Sequence, residues 1–234
     1  MKRKALCAAI CLYVFAALAL IVYLSIDLNP QMMIAPSERL LLLGITCLCT
    51  YLAGLLLSKN SPSQQKVNIM RITFGVFFGL YLILLISLVL FDSYFGRVGV
   101  SLFARWNKEE FNLYISNSFN IIPFKTVGNY VSDFINARVG IKEVIVNIVG
   151  NLAAFAPFAF FLPLFWSRQR KIKSFFVATL LIVLCVELLQ FVLLTGVCDI
   201  DDVILNVGGA VLAYLFLHIK FMRKIISKIT CLPY

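Results

Sequence analysis

The sequence is poor in acid and nearly free of histidine. Eleven Asp and Glu stand against 21 Lys and Arg, and charged residues of both signs make up only 14% of the chain. A soluble domain needs far more charge than that to cover its surface. The one histidine, His218, ends an apolar run close to Lys220 and reads as an interfacial residue rather than a ligand. Cysteine number is odd, at seven, and five of them (Cys7, Cys11, Cys47, Cys49, Cys185) lie inside apolar runs as small hydrophobes. Their spacing gives neither a disulfide framework nor a metal knuckle. No basic stripe interleaved with aromatics occurs in a soluble segment, which argues against nucleic acid as a partner despite the net charge of +10. Internal repeats and low-complexity segments are missing too, and paired broken helices of the kind that build transporters are not visible.

What is present is hydrocarbon: 62% of residues are hydrophobic and mean hydropathy is +0.95. Six runs are long enough to cross a bilayer, which needs about 20 apolar residues. They are Ala5–Ile26, Leu40–Leu57, Ile72–Phe91, Val144–Phe165, Ser174–Leu194 and Val203–Ile219. The first follows Lys2, Arg3 and Lys4. Its apolar core is longer than that of a signal peptide and no small-residue cleavage site follows, so it is expected to stay as a helix. The fold class is therefore all-α, a polytopic membrane helix bundle of about six spans.

Charge placement orients the bundle. With the N-terminus inside, Lys2–Lys4, the loop holding Lys59, Lys66 and Arg71, the loop from Arg168 to Lys173, and the segment from Lys220 to Lys228 all fall inside and contain no acid. Every acid falls on the other side. This is the positive-inside pattern, and it puts both termini in the cytoplasm. The long outer segment Asp92–Glu143 carries two near-helical patterns, Phe103, Trp106, Phe111 and Tyr114, then Val127, Val131, Phe134 and Ile135. Each is expected to be an amphipathic helix lying in the outer interface. Between them, Pro123 biases Ile122 away from helix, so Asn120–Phe124 is a turn or shallow re-entrant point.

Polar groups inside a bilayer are costly and face the bundle interior or a wet cavity. The last three spans hold nearly all of them. Asn147 and Asn151 share a face of the fourth span, either as interhelical glue or as part of a site, and Pro157 is expected to kink the helix after them. Glu187 and Gln190 share a face of the fifth, with Glu187 about 10 Å below the outer boundary. Burial would favour its neutral form. At the head of the sixth stand Asp199, Asp201 and Asp202. One aspartate suffices to cap the helix, with Asp199 the expected cap. The surplus suggests a cation site or recognition of a donor-rich ligand. Asp202 and Asn206 share a face, continued by Gly209, Ala210 and Ala213, small residues that let helices approach closely.

Four segments, NIIPF at Asn120–Phe124, NIVGNLAAFAPFAFFLP at Asn147–Pro163, ELLQ at Glu187–Gln190 and DIDDVILNVGGAVLAY at Asp199–Tyr214, resemble in order and spacing the signature blocks of the VanZ-like family. The resemblance runs from about Phe91 to Leu217. It divides the chain into three N-terminal spans (1–90), a VanZ-like domain (91–219) and a basic cytoplasmic tail (220–234). It implies a bacterial cell membrane and a role like that of the family's founding member, which is associated with low-level teicoplanin resistance by no established reaction. The residues it singles out for binding are Asn120, Pro123, Asn147, Asn151, Glu187, Gln190, Asp201, Asp202 and Asn206. Two departures stand out. Many relatives carry an Arg shortly before the aspartates where this chain has Gly196-Val197-Cys198, and Gly-Tyr where it has Ala213-Tyr214.

The expected partners are the lipid bilayer and, on the outer side, a glycopeptide or a lipid-linked peptidoglycan precursor. No cofactor is required. The alternative is an enzyme in which Asp199, Asp201 and Asp202 hold Mg²⁺ or Mn²⁺ and Glu187 acts as general acid or base on a lipid-linked cell-wall intermediate. Against it, no Lys or His lies in the matched helical blocks to meet a phosphate, and only Lys125 is near.

Overall fold

A backbone in hydrocarbon must satisfy its own N–H and C=O groups, and the long apolar runs do so as helices. The computed structural model describes residues 2–27, 36–59, 61–91, 119–193, 196 and 198–234. In chain order its helices are α1 (Lys2–Asp27), α2 (Pro36–Ser58), α3 (Ser63–Ile86, continued by a π-helical turn Ser87–Phe91), α4 (Lys125–Ile135), α5 (Ile141–Ala154), α6 (Phe158–Phe165), α7 (Ile172–Val192), α8 (Ile200–Leu217) and α9 (Lys220–Thr230). Six helical segments among the described residues are long and apolar enough to cross a membrane, matching the six apolar runs of the sequence. The chain is a multi-pass, all-α membrane protein. Its spans leave large apolar side chains exposed, Leu18, Leu41, Ile72, Leu181 and Leu212 among them, as lipid-facing helices do.

The fourth span is broken where expected. α5 ends at Ala154, residues 155–157 form a turn closed by Ala156 N–H to Ala153 C=O and Phe158 N–H to Phe155 C=O, and α6 starts after Pro157. Proline brings no N–H, so the regular ladder cannot run through it.

The chain divides into two compact units. In the first, residues 1–84 and 224–233, α1 and α2 pack along each other around Tyr23, Leu43 and Leu80. Threonines 46, 50 and 73 return their hydroxyls to backbone carbonyls one turn back, which hides a polar group where no water is at hand. A Cβ on Gly54 would sit 2.5 Å from Thr73 Oγ1, so glycine there lets α2 and α3 touch.

The second unit holds residues 85–223 and Tyr234. Here α8 is the central helix and packs on α5, α6 and α7. Its closest approach is to α5: a Cβ on Gly209 would lie 1.9 Å from the carbonyl oxygen of Leu152. The expected small-residue face is thus an interhelical contact. The far end is closed by aromatic rings. Phe175 stacks on Tyr214 at 4.5 Å, Tyr214 on His218 at 3.7 Å, and Tyr234 lies 5.2 Å from His218. The Tyr214 hydroxyl donates to Arg170 C=O and the Tyr234 hydroxyl to Ala159 C=O. His218 is therefore a packed ring, and burial lowers its pKa against the ordinary imidazole value.

Of the two amphipathic patterns in the long loop, the second is helix α4, with Val131, Phe134 and Ile135 exposed. The first, Phe103 to Tyr114, lies outside the described residues. The basic segment from 220 onward also folds as a helix, α9, with Ile226 and Thr230 buried.

Candidate functional site

The aspartate-rich turn is joined to the Asn120–Phe124 loop by backbone. Strand β1 (Phe119–Asn120) pairs in parallel with β2 (Cys198–Asp199), Phe119 opposite Cys198 and Asn120 opposite Asp199. This two-residue bridge carries the loop to the first turn of α8.

Each aspartate then takes a different task. Asp199 caps α8: its Oδ1 accepts from Asp201 N–H at 2.9 Å. The same oxygen accepts from Asn120 Nδ2 at 2.9 Å, and Asn120 also donates to Thr126 Oγ1. Asp201 is 1% exposed and caps a second helix. Its Oδ1 accepts from the N–H of Phe124, and its Oδ2 from the N–H of Thr126 and Val127 at 2.9 and 3.0 Å. Those are donors of the N-cap and first turn of α4, whose N-cap residue makes no side-chain cap of its own. Phe124, at the N-cap, sits in the left-handed region with φ 63°, a conformation that costs a bulky residue about 1–2 kcal/mol. Asp202 accepts from Asn151 Nδ2 across the α5–α8 contact.

The remaining residues are spread around this end of the bundle. Asn147 donates to Glu143 C=O on its own helix, and Gln190 donates to Val89 C=O in the π turn at 3.0 Å. Asn206 is buried, and its Oδ1 has no hydrogen-bond partner among the described residues. Pro123 is exposed in the turn before α4. The three carboxylates accept from different sets of donors, and among the described residues no group of three or more His, Cys, Asp or Glu is placed to hold a metal ion.

One subset does share a space. A cavity of about 340 Å³ is lined by Asn120, Glu187 and Asp199, with Leu184, Leu188, Phe191 and Val203 supplying apolar wall. Glu187 is 5% exposed, on the last two turns of α7. Cys198, absent from the sequence-derived candidates, also lines it. Burial, then the charges of Glu187 and Asp199, raise its thiol pKa above the usual value. Tyr130 of α4 responds likewise, its phenol raised by burial and by Asp202 and Asp199. Adjacency to Asp199 was the only available signal for Cys198, and it says nothing of Glu187 across the cavity.

The cavity predicts a labelling result. In a variant whose only cysteine is Cys198, maleimide reaction near pH 8 should be slower than for an ordinary thiol, because less thiolate is present. Glu187→Gln removes one raising charge, so the rate at fixed pH should increase. An unchanged rate would mean that no charge on Glu187 is felt at Cys198.

The VanZ/LLP1 family model matches residues 78–221, which include all four sequence blocks and the whole cavity. No curated protein and no solved structure matches the chain.

Proposed function

The chain belongs to the VanZ/LLP1 family, and on that premise we propose that it protects the cell envelope against glycopeptides of the teicoplanin type by holding an amphiphile in the acid-lined cavity. The cavity is the observation that carries this reading. Its polar side offers two carboxylates and an amide, which suit a ligand rich in N–H, O–H or ammonium donors. The apolar wall from α7 and α8 suits an acyl chain. At about 340 Å³ it is at the small end of ligand pockets and fits a head group or a chain segment rather than a whole glycopeptide. The acid-free basic loops of the sequence support a cytoplasmic N-terminus, which turns this cavity to the outside, where glycopeptides act.

The test is expression in a susceptible Gram-positive host, with inhibition by teicoplanin compared with inhibition by vancomycin. The wild type should raise the teicoplanin concentration needed several-fold, with less effect on vancomycin. Glu187→Gln, present in the membrane at the same level, should lose most of that protection. Asp202→Asn, whose carboxylate meets Asn151 away from the cavity, should keep it. Unchanged sensitivity with wild-type protein in the membrane overturns the reading.

A further inference from the structure

The opposite end of α7 carries a second, differently charged recess. Lys173 lies 14 residues before Glu187, which is about 21 Å along the helix. A groove of about 520 Å³ is lined there by Arg168, Gln169, Lys171 and Lys173, then by Ser174, Val177, Ala178 and Leu181. Positive-inside topology asks for basic residues in this loop but not for a groove. Two features go beyond it. Ser174, Val177, Ala178 and Leu181 fall on one face of α7 at helical spacing, the small pair leaving room between Val177 and Leu181, which are 53% and 57% exposed. Gln169 adds a neutral polar side chain to the lining beside the cations.

We infer that this groove is a binding site for an anionic phospholipid, with its phosphate among Arg168, Lys171 and Lys173 and one acyl chain along Ser174, Val177, Ala178 and Leu181. Three cations with no acid among the lining residues favour a net-anionic head group over a zwitterionic one. Basic pockets beside membrane helices recognise anionic head groups in this way. A head group with net negative charge and no ammonium group matches three unopposed cations. Phosphatidylglycerol is such a lipid, and it is the occupant proposed. The site is independent of the acid-lined cavity, and either can fail without the other.

Full-length protein, delipidated in a non-ionic detergent, is titrated with phosphatidylglycerol, phosphatidylethanolamine and inorganic phosphate, and bound lipid is read by native mass spectrometry. Phosphatidylglycerol should bind at least about tenfold more tightly than phosphatidylethanolamine, and millimolar phosphate should not displace it. Removing all three charges (Arg168→Gln, Lys171→Gln, Lys173→Gln) should weaken binding by up to about a hundredfold. Ala178→Leu keeps every charge but fills the groove, and should also abolish the preference. Ser174→Leu serves the same purpose should Ala178→Leu not give monodisperse protein. Removing three charges elsewhere (Lys220→Gln, Lys224→Gln, Lys228→Gln) should change nothing. Equal weakening by that distant triple variant, a full preference retained in the filled groove, or displacement by phosphate alone would each overturn the assignment.

Discussion

Gly209→Ala should unfold or loosen the second unit, although it adds one methyl group to a helix. The new Cβ would lie 1.9 Å from the carbonyl oxygen of Leu152 and 2.7 Å from its Cα. These are backbone atoms, so no side chain can swing aside, and α5 and α8 must separate. Overpacking of this kind costs about 1–3 kcal/mol and more when backbone has to move. Separation would also stretch the Asn151–Asp202 hydrogen bond in the same interface. Gly208→Ala is the matched control. Nothing lies within 4 Å of its added Cβ, and replacing a helical glycine there should be neutral or stabilise by up to about 1 kcal/mol. Thermal unfolding in detergent and the yield of monodisperse protein measure the contrast. Equal behaviour of the two variants would show that α5 and α8 do not meet at Gly209.

Asp201→Asn should be the second severe change. The carboxylate accepts three backbone N–H groups from Phe124, Thr126 and Val127. An amide keeps one acceptor oxygen and turns an NH₂ toward donors. Its oxygen can replace Oδ2 and keep Thr126 and Val127, or replace Oδ1 and keep Phe124, so at least one donor loses its partner at a position that is 1% exposed. Charged hydrogen bonds and buried unsatisfied donors together put the loss at about 2–4 kcal/mol. It should appear locally, as faster hydrogen exchange at Phe124 or at Thr126 and Val127, and as earlier protease cutting within residues 119–135. Asp202→Asn is milder, because an amide oxygen can still accept from Asn151. Unchanged exchange at all three amides in the Asp201→Asn protein would refute the capping role.

The architecture was largely legible before any coordinates. Apolar runs long enough to span a bilayer have few options other than helix, so all six were visible, and the break at Pro157 follows from its missing N–H. The 202/206/209 face of α8 was legible because helical spacing assigns residues to faces. It does not say what lies across from a face. Asp201 and Asp202 look alike in sequence, yet one meets three amides of α4 and the other a side chain of α5. Asp199 as cap could be read locally, since its acceptor and the donor at Asp201 are two residues apart. The partners of Asp201 are more than 70 residues away, and no periodicity points to them. Cys198 and Glu187 are only 11 residues apart, but they stand on different elements, and helical spacing does not predict that they line one cavity. The fold of the basic end was hidden differently: Phe221, Ile226 and Ile229 alternate with Lys and Arg, so the same residues that mark the inside also form the polar face of α9.

The Asp201 cap also sets an order of events during synthesis. Phe124 leaves the ribosome 77 residues before Asp201. Through that interval α5, α6 and α7 emerge, while the first turn of α4 still lacks its acceptor. The loop can take its final shape only after α8 has arrived. A chain stopped before residue 201 should therefore contain α4 as an unanchored segment, open to proteases and to any membrane factor that recognises unfinished spans. Completion of the last apolar helix is what closes the first part of the site.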